Sequence, residues 1–235
     1  MIKNELKIIR YEENNYKEIS DKSVVEYQLK VYVNNRPVGL RLCLKEKLDD
    51  MIVGFLLTEG YISTCDDIEK IQFISISEIQ GECYCVVNKN KKSINNHMNN
   101  YRTDSKEINE SMKEFTQRSS LFKETGGVHS CGILKNGEII YFADDIGRQN
   151  ALDKVLGYIV KNLEKMDEVL ILFSGRITTE VLEKLSLECI EGIISKAAVT
   201  NNAVLKGKNM GILVIGFARN SRFNIYSGDE KLKDY

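Results

Sequence analysis

Residues 168–173 read EVLILF, and the apolar run that ends this stretch has no polar interruption. Strands of a parallel sheet are buried on both faces, so they read as continuous apolar runs, whereas half-exposed strands alternate. A second run of this kind, GILVIGF, stands at residues 211–217. The stretch between them begins SGRITTEVLEKL, a short polar turn followed by a helical pattern. The two runs therefore predict buried strands of an α/β sheet.

Working outward from EVLILF, the flanking segments alternate between strand and helix patterns. They are a hairpin over 128–145 that turns at Asn136-Gly137, a helix at 148–164, a strand at 193–199, and a loop with a short helix at 200–210. With the two apolar runs, the order is β-α-β-α-β-α-β, counted from the second strand of the hairpin. This order predicts an α/β sheet with right-handed crossovers.

The N-terminal part of the chain is β-rich and contains one helix. Residues 24–44 alternate, and Asn34-Asn35 divides them into two strands. The helix begins near Asp49, where acidic residues suit the helix dipole, and ends near Gly60. The later segments are a pair of strands at 68–87, a polar Asn-rich loop at 88–104 and an amphipathic helix at 105–122. We predict a smaller β-rich part at 1–104 and an α/β domain at 105–235.

The composition describes a neutral globular protein. The chain has 235 residues, is 43% hydrophobic and has a net charge of −1, so nothing in its bulk charge favours nucleic acid or an acidic membrane. Residues 1–18 are charged throughout and lack the apolar core of a signal peptide. The six cysteines show no disulfide-framework spacing. We therefore expect a cytoplasmic protein with reduced thiols that binds neither nucleic acid nor membrane.

The turns that follow the predicted strands carry the candidate ligand groups. Ligands of open α/β sheets bind beyond the carboxyl ends of the strands. The four turns read DDIGRQN, SGRITT, TNN and ARNSR, and three of them contain arginine. Arginine side chains and helix N-termini both favour phosphate. We therefore expect a phosphate-bearing, nucleotide-like ligand, although ordinary βα connections with solvated arginines are the alternative. The residues expected at this edge are Asp145, Gly147, Arg148, Ser174, Arg176, Thr200, Arg219 and Arg222.

The stretch TGGVHSCG at 125–132 places a histidine two residues from a cysteine. On a strand, His129 and Cys131 share a face, so Cys131 is a candidate nucleophile with His129 as its base. They also resemble half of a metal site, but no C-x-x-C supplies further ligands, so we expect no protein-ligated metal. A buried structural thiol is the third reading. Gly126 and Gly127 would let the backbone approach a ligand, and His129 would orient part of that site.

Five motifs, in this order and spacing, resemble the FdhD/NarQ family of formate dehydrogenase accessory sulfurtransferases. They are DDMIVGFLLTEGYI, TGGVHSCGIL, DDIGRQNALDKVLG, SGRITTEVLEKL and GFARNSRFNIYS, and the resemblance covers about residues 24–230. It implies a three-layer α/β/α deaminase-like domain with a mixed sheet, plus a smaller β-rich N-terminal part. It also implies a possible homodimer.

The same resemblance implies a sulfur carrier for formate dehydrogenase. Such a protein would take sulfur from a cysteine desulfurase, as a cysteine persulfide, and deliver it to a bound molybdenum bis(molybdopterin guanine dinucleotide) cofactor. The family's cofactor-binding stretch matches Phe217, Ala218, Arg219, Asn220, Ser221 and Arg222.

Three positions depart from the family pattern. The family carries a C-x-x-C in the loop that corresponds to residues 88–104, but this chain has no cysteine from 86 to 130. It also has Gln149 where the family usually has histidine, and Val199 where it usually has proline. Because the C-x-x-C thiols are missing, three hypotheses compete. The protein is a sulfurtransferase that uses Cys131 or Cys85, or a cofactor-binding paralogue without sulfur transfer, or a deaminase-like metal hydrolase.

Overall fold

The computed structural model describes residues 2–89 and 101–235. Within these ranges the strands are β1 Lys3–Glu12, β2 Asn15–Val24, β3 Tyr27–Val33, β4 Arg36–Cys43, β5 Ile68–Ser75, β6 Gln80–Val87, β7 His129–Lys135, β8 Glu138–Asp145, β9 Val169–Phe173, β10 Ile190–Ser195, β11 Leu213–Arg219 and β12 Arg222–Ser227. The α-helices are α1 Leu48–Thr58, α2 Ser105–Arg118, α3 Ser120–Thr125, α4 Arg148–Lys161, α5 Thr179–Lys184 and α6 Asn201–Met210. None of the described helices is long and apolar enough to cross a membrane.

The larger sheet has the strand order β12-β11-β10-β9-β7-β8. Strands β9, β10 and β11 are parallel, whereas β7 and β12 run antiparallel to their neighbours, so the sheet is mixed. Every residue of β9 is buried, as its continuous apolar sequence predicts. Successive β9 side chains point to opposite faces, and both faces of this sheet are therefore covered.

Helices cover both faces of the larger sheet. On one face, Ile108, Met112 and Phe115 of α2 pack against residues such as Leu170 and Leu172 of β9. On the other face, apolar residues of α4, α5 and α6 pack against Ile171 and Phe173, among others. The three-layer α/β/α domain with a mixed sheet is confirmed, and so is the amphipathic face of α2.

The smaller sheet has the order β4-β3-β6-β5 and forms the β-rich N-terminal part. One face of β3 and β6 is buried in the same apolar core as α1, and α1 packs against α4. A single apolar core therefore contains residues from both sides of position 104. The domain boundary at 104/105 stays a prediction, and it falls directly before α2.

The crossing of α1 and α4 depends on two glycines. A β-carbon on Gly54 would lie 1.9 Å from the carbonyl oxygen of Asp153, and one on Gly157 would lie 1.8 Å from that of Asp50. Both distances are far below van der Waals contact, so the two helix backbones touch where any larger residue would push them apart. This contact joins the N-terminal part to the α/β domain.

Several sequence predictions need correction. The first predicted helix of the α/β domain, 105–122, is divided at Ser119 into α2 and α3, because Ser119 caps α3 with its side chain. The strand predicted at 193–199 ends at Ser195, and β11 continues to Arg219. The β1–β2 hairpin was not predicted, since its exposed residues lack an apolar pattern. Most of the polar loop predicted at 88–104 lies outside the described residues.

Candidate functional site

A cavity of about 440 Å³ opens at the edge of the larger sheet where β8, β9 and β10 end and β7 begins. We call it the His129 cavity. Its lining comes from α3, from the turns after three strands and from the start of β7: Phe122, Gly126, Gly127, Val128, His129, Ile146, Ser174 and Lys196. Of the residues predicted from sequence, it therefore brings together Gly126, Gly127, His129 and Ser174.

The glycines of TGG shape one wall of this cavity. Gly126 ends α3 in the left-handed conformation, with φ of 63°, which glycine adopts without strain. A β-carbon on Gly127 would lie 3.0 Å from Val24, so the chain there passes close to the base of the β1–β2 hairpin. The pair therefore lets the backbone turn from α3 into β7 beside the cavity.

His129 is held by Ser174. The Ser174 Oγ accepts a hydrogen bond from the backbone N–H of Ser130 at 2.8 Å and lies 3.2 Å from His129 Nδ1. If the Ser174 hydroxyl donates its proton to Nδ1, then Nδ1 is the acceptor nitrogen of a neutral imidazole. The ring proton is then carried by Nε2. Burial, and then the charges of Arg148 and Lys196, lower the pKa of His129. His129 is therefore neutral at pH 7 and offers one N–H.

Lys196 is the main charge of the cavity. It is half-buried, burial lowers its pKa, and its Nζ lies 4.7 Å from the centroid of the Phe122 ring. No carboxylate pairs with Lys196 among the described residues. Asp144, on β8, accepts from the Ser119 hydroxyl at 2.7 Å and from the Ser130 hydroxyl at 2.6 Å, so both its oxygens are already engaged. An anion would therefore find an unneutralised ammonium here.

Asp145 does not line the cavity, contrary to its predicted contact with the ligand. Its side chain is completely buried and forms a 2.7 Å ion pair with Lys154, which is also completely buried. Its oxygens accept further bonds from the N–H groups of Leu44 and Gly147 and from the Asn150 amide. We assign Asp145 a positioning role, because these bonds fix the turn that carries Gly147 and Arg148.

A second buried ion pair involves Asp153, the next acidic residue of the DDIGRQNALDKVLG motif after Asp145. Asp153 lies 2.7 Å from Lys184 and 3.4 Å from the Thr58 hydroxyl, so three of the sequence motifs meet at one carboxylate. Burial raises the pKa of Asp153, and Lys184 opposes that rise. Asp153 therefore joins α4 to α1 and α5, and it has a structural role.

The first turn of α4 holds polar groups that have no partner in the described part of the chain. They are the Nε of Arg148 and both amide atoms of Gln149, all of them buried. Gly147 caps the helix without a side-chain hydrogen bond, so the first backbone N–H groups also lack a side-chain acceptor. Arg148 is close enough to His129 for its charge to lower the pKa of that histidine. A positive helix end thus lies beside the His129 cavity.

The predicted cofactor-binding stretch forms the tip of the β11–β12 hairpin. Asn220 and Ser221 both have positive φ, and Phe217 has φ of 54° at a bulge in β11. Ala218, Arg219, Asn220 and Ser221 line a separate cavity of about 360 Å³ against α2. We call it the Arg219 cavity. The stretch is therefore a hairpin turn, whereas the sequence predicted a connection beyond the last strand.

The arginines do not converge on one cavity. Arg219 lines the Arg219 cavity, Arg148 lies near His129, and Arg176 and Arg222 are exposed and line neither cavity. Thr200 is exposed at the start of α6 and also lies outside both. The turns share an edge, as predicted, but the strand spacing keeps their side chains apart.

Cys131 is completely buried in the core, and burial raises the pKa of its thiol. A persulfide carrier needs an accessible thiolate, so this position does not meet that requirement. Cys83 and Cys85 share one face of β6, as predicted, with sulfurs 3.7 Å apart, but both are buried as well. The hydrogen bond to Cys85 and burial raise the pKa of Cys83.

The structure describes all six cysteines, and Cys65 and Cys189 are the ones with partial exposure. Burial raises the pKa of both, that of Cys189 to about 11. Cys189 precedes β10, and Cys65 lies against residues 160–165, which are the last residues of α4 and the turn that follows it. Because α4 has 14 residues and begins beside the cavity, these thiols lie at the opposite end of a helix about 21 Å long.

The half metal site predicted as an alternative finds no further ligands in the described ranges. Neither 2–89 nor 101–235 contains a group of three His, Cys, Asp or Glu residues placed to hold a metal ion. His97, the second histidine, lies outside these ranges.

The sequence did not point to Lys196 and Phe122, because Lys196 stood inside a predicted strand and Phe122 at the end of a predicted helix.

Comparison with known proteins gives consistent matches over nearly the whole chain. The FdhD/NarQ family model matches residues 24–93 and 78–233. The sulfur carrier protein FdhD of Listeria innocua is 32% identical over 253 residues, covering 96% of this chain and 97% of that protein. The one of Bacillus subtilis is 30% identical over 250 residues, covering 96% and 95%.

A crystal structure gives the matching fold. It is that of a protein described as a formate dehydrogenase accessory protein from Desulfotalea psychrophila, with a TM-score of 0.84 and 23% identity. The match covers 99% of this chain and 100% of that chain. At this level of identity, the likeness supports the fold.

Proposed function

This chain belongs to the FdhD/NarQ family, and from that membership we propose that it is a cytoplasmic accessory protein for formate dehydrogenase maturation. Its task is to hold the molybdenum bis(molybdopterin guanine dinucleotide) cofactor at the edge of the larger sheet. The pyrophosphate part of that ligand would occupy the His129 cavity. The guanine part would lie towards the β11–β12 hairpin tip.

The unpaired ammonium of Lys196 is the main support for an anionic ligand. It lies in a cavity that also contains His129, whose lowered pKa favours the neutral imidazole, beside the first turn of α4. A helix N-terminus and a cation together favour phosphate oxygens. Among the described residues that line this cavity there is no acidic side chain to repel such a ligand.

The distance between the two cavities suits one extended ligand. Ser174 follows β9 and Arg219 ends β11, and β10 is the strand between them. Two interstrand spacings give about 10 Å between the strand ends. The Arg219 cavity is bordered by α2, and the His129 cavity is bordered by α3, the next helix along the chain. A ligand with both a phosphate and a base can therefore contact Lys196 and Arg219 together.

The roles of the protein residues follow from this placement. Lys196 and the α4 N-terminus would neutralise phosphate charge, and His129, held by Ser174, would donate one hydrogen bond of fixed direction. The buried bonds of Asp145 keep the 145–148 turn in place without any contribution from the ligand. The cofactor itself supplies the molybdenum and its sulfur ligands, whose chemistry belongs to the dehydrogenase.

Replacement of Lys196 by alanine should weaken GDP binding by at least tenfold. GDP carries the guanine and pyrophosphate of the cofactor, and a charge-assisted hydrogen bond contributes about 1.5–3 kcal/mol. The double variant R219A/R222A should weaken binding less, because both side chains are exposed. Isothermal titration calorimetry measures both effects. The matched control is Lys208→Ala, an exposed lysine on α6; equal affinities of K196A and K208A would refute the His129 cavity as the phosphate site.

Sulfur transfer is the second candidate function, because the curated relatives are named sulfur carrier proteins. The carrier thiolate would attack the outer sulfur of a cysteine desulfurase persulfide, the donor S–S bond would break, and the donor thiolate would leave. The carrier would then hold the persulfide. The buried state of Cys131 and Cys85 and the position of Cys65 and Cys189 favour cofactor binding without sulfur transfer by this chain.

After incubation with a cysteine desulfurase and L-cysteine, we expect no persulfide on Cys131, Cys83 or Cys85. Alkylation followed by mass spectrometry of peptides locates any added sulfur, with a C-x-x-C relative as the positive control. The reason is that a thiol without solvent contact is closed to a protein donor. A persulfide on Cys131 at the rate seen in the relative would show that the core opens and that sulfur transfer is retained.

A further inference from the structure

Helix α2 presents two faces of different charge to two different cavities. Its acidic residues Glu107, Glu110 and Glu114 line a cavity of about 340 Å³ beside Gly137, in the β7–β8 turn. A second face lines the Arg219 cavity, and none of the described residues around that cavity is acidic. The α2 residues on this second face recur every three or four positions, as the residues of one helix face do. They are Asn109, Met112, Lys113, Thr116 and Gln117.

The Arg219 cavity combines an apolar floor with polar groups around it. Met112 and Ala218 line it and are only 3% and 2% exposed, so they lie at its base. The polar side chains around them are more exposed, and two of these, Lys113 and Arg219, are cationic. Ligand cavities are typically lined in this way, by apolar surface with a few polar groups that fix the orientation of the ligand. The floor suits the flat face of a base better than a phosphate group, which has no apolar surface.

The ammonium of Lys113 is available to a ligand. In the described ranges no carboxylate forms an ion pair with it. Glu110, three residues earlier on the helix, lies 4.0 Å from Lys106, and Glu114 pairs with Arg118 at 2.9 Å. Adjacent helix positions do not face each other, so Glu114 also points away from Lys113. A hydrogen-bond acceptor on the ligand would therefore meet an unpaired cation in the Arg219 cavity.

We propose that Lys113 selects guanine over adenine in the Arg219 cavity, by donating hydrogen bonds to O6 and N7 of the base. The inference rests on the proposed function, which places the base of the ligand beside the β11–β12 hairpin tip. In that tip, Asn220 and Ser221 have positive φ and form the wall of the cavity across from α2. A base on the floor between these two walls presents its edge to Lys113.

The selectivity follows from the donors and acceptors of the two purines. Guanine presents two acceptors, O6 and N7, whereas adenine presents the N7 acceptor beside the N6 amino donor. An ammonium has donors and no acceptor, so the adenine amino group finds no partner on Lys113. The guanidinium of Arg219 has the same limitation. The amides of Asn109 and Gln117 both donate and accept, so they serve either base and do not discriminate.

Isothermal titration calorimetry with GDP, IDP and ADP tests this role of Lys113. The unchanged chain should bind GDP and IDP more tightly than ADP, because the base of IDP keeps O6 and N7 and lacks only the N2 amino group. Lys113→Met should weaken the binding of GDP and IDP about fivefold and leave that of ADP unchanged, at the lower end for a bidentate contact to guanine because Lys113 is exposed. Lys113→Arg keeps the donors and should keep the preference.

The matched control is Lys106→Met, an exposed lysine of α2 that lines the other cavity, and it should change none of the three affinities. Lys196→Ala should weaken GDP and ADP equally, because it is assigned to the pyrophosphate. An unchanged ADP affinity also shows that the Lys113 variant is folded. Equal binding of GDP and ADP by the unchanged chain, or equal losses of both in Lys113→Met, would overturn the role of Lys113 while the Lys196 effect still supports the proposed function. If none of the nucleotides binds, both proposals fail.

Discussion

Replacement of Gly54 by alanine is expected to destabilise the protein by about 3 kcal/mol, at the upper end of the usual range for an overpacked core. Alanine is the better helix former by about 1 kcal/mol, so an exposed glycine in a helix would show the opposite sign. Here the added β-carbon would lie 1.9 Å from the Asp153 carbonyl oxygen, which belongs to a buried helix backbone. The helices α1 and α4 must therefore move apart, and their core contacts loosen.

Differential scanning calorimetry measures this effect as a fall in Tm. For a chain of this size, about 3 kcal/mol corresponds to a decrease of roughly 6–12 °C. The control is Gly39→Ala on β4, where a β-carbon would have no atom within 4 Å. Gly157→Ala should resemble Gly54→Ala, because it acts on the same crossing. If Gly54→Ala and Gly39→Ala have the same Tm, the two helices are not in close contact at Gly54.

The second large effect is expected from Lys154→Met, which leaves Asp145 as an unpaired buried charge. Removal of one partner from a buried ion pair costs about 3–5 kcal/mol, because the remaining charge keeps its desolvation penalty. Lys154 also donates to the carbonyl oxygen of Asp144 at 2.9 Å, so that bond is lost as well. Asp145 of this pair also accepts from the N–H of Leu44, the residue directly after β4, and so holds the 145–148 turn against the smaller sheet. Its loss should therefore weaken both halves of the core.

Urea unfolding followed by circular dichroism measures the loss, compared with Lys161→Met. Lys161 contacts Asp49 and Asp50 but is about one-third exposed, with its side chain at 35% relative accessibility. An exposed ion pair contributes about 1 kcal/mol or less. The Lys154 variant should therefore unfold at a clearly lower urea concentration. Equal midpoints would mean that the buried pair contributes no more than the exposed one.

The elements of the fold with a local cause were predictable. The turns at Asn34-Asn35 and Asn136-Gly137 have positive φ at both residues, as these residue types suggest. The apolar run of β9 and the i, i+4 pattern of α4 gave the buried strand and the long helix. In each case neighbours in sequence carry the signal, so no tertiary information was needed.

The candidate site was predictable only in outline. The sequence identified the sheet edge and four of the residues that line the His129 cavity, namely Gly126, Gly127, His129 and Ser174. It did not identify Lys196. Asp145 was assigned to the ligand, because a sequence pattern does not distinguish an acid that faces solvent from one that is enclosed by Leu44, Asn150 and Lys154. Both residues show that the direction in which a polar side chain points is not given by a sequence pattern.

The sequence by itself determined the α/β class, the order of most elements and the family resemblance, because hydrophobic periodicity and turn residues act over short distances along the chain. Tertiary structure alone decided that Asp145, Asp153 and Lys154 are enclosed, that Cys131 is closed to solvent, and that Lys196 lies beside Phe122 without a carboxylate partner among the described residues. The physical reason is that burial and charge pairing depend on groups brought together from distant positions. Leu44 and Asp145, for example, are 101 residues apart in sequence and 3.1 Å apart in space.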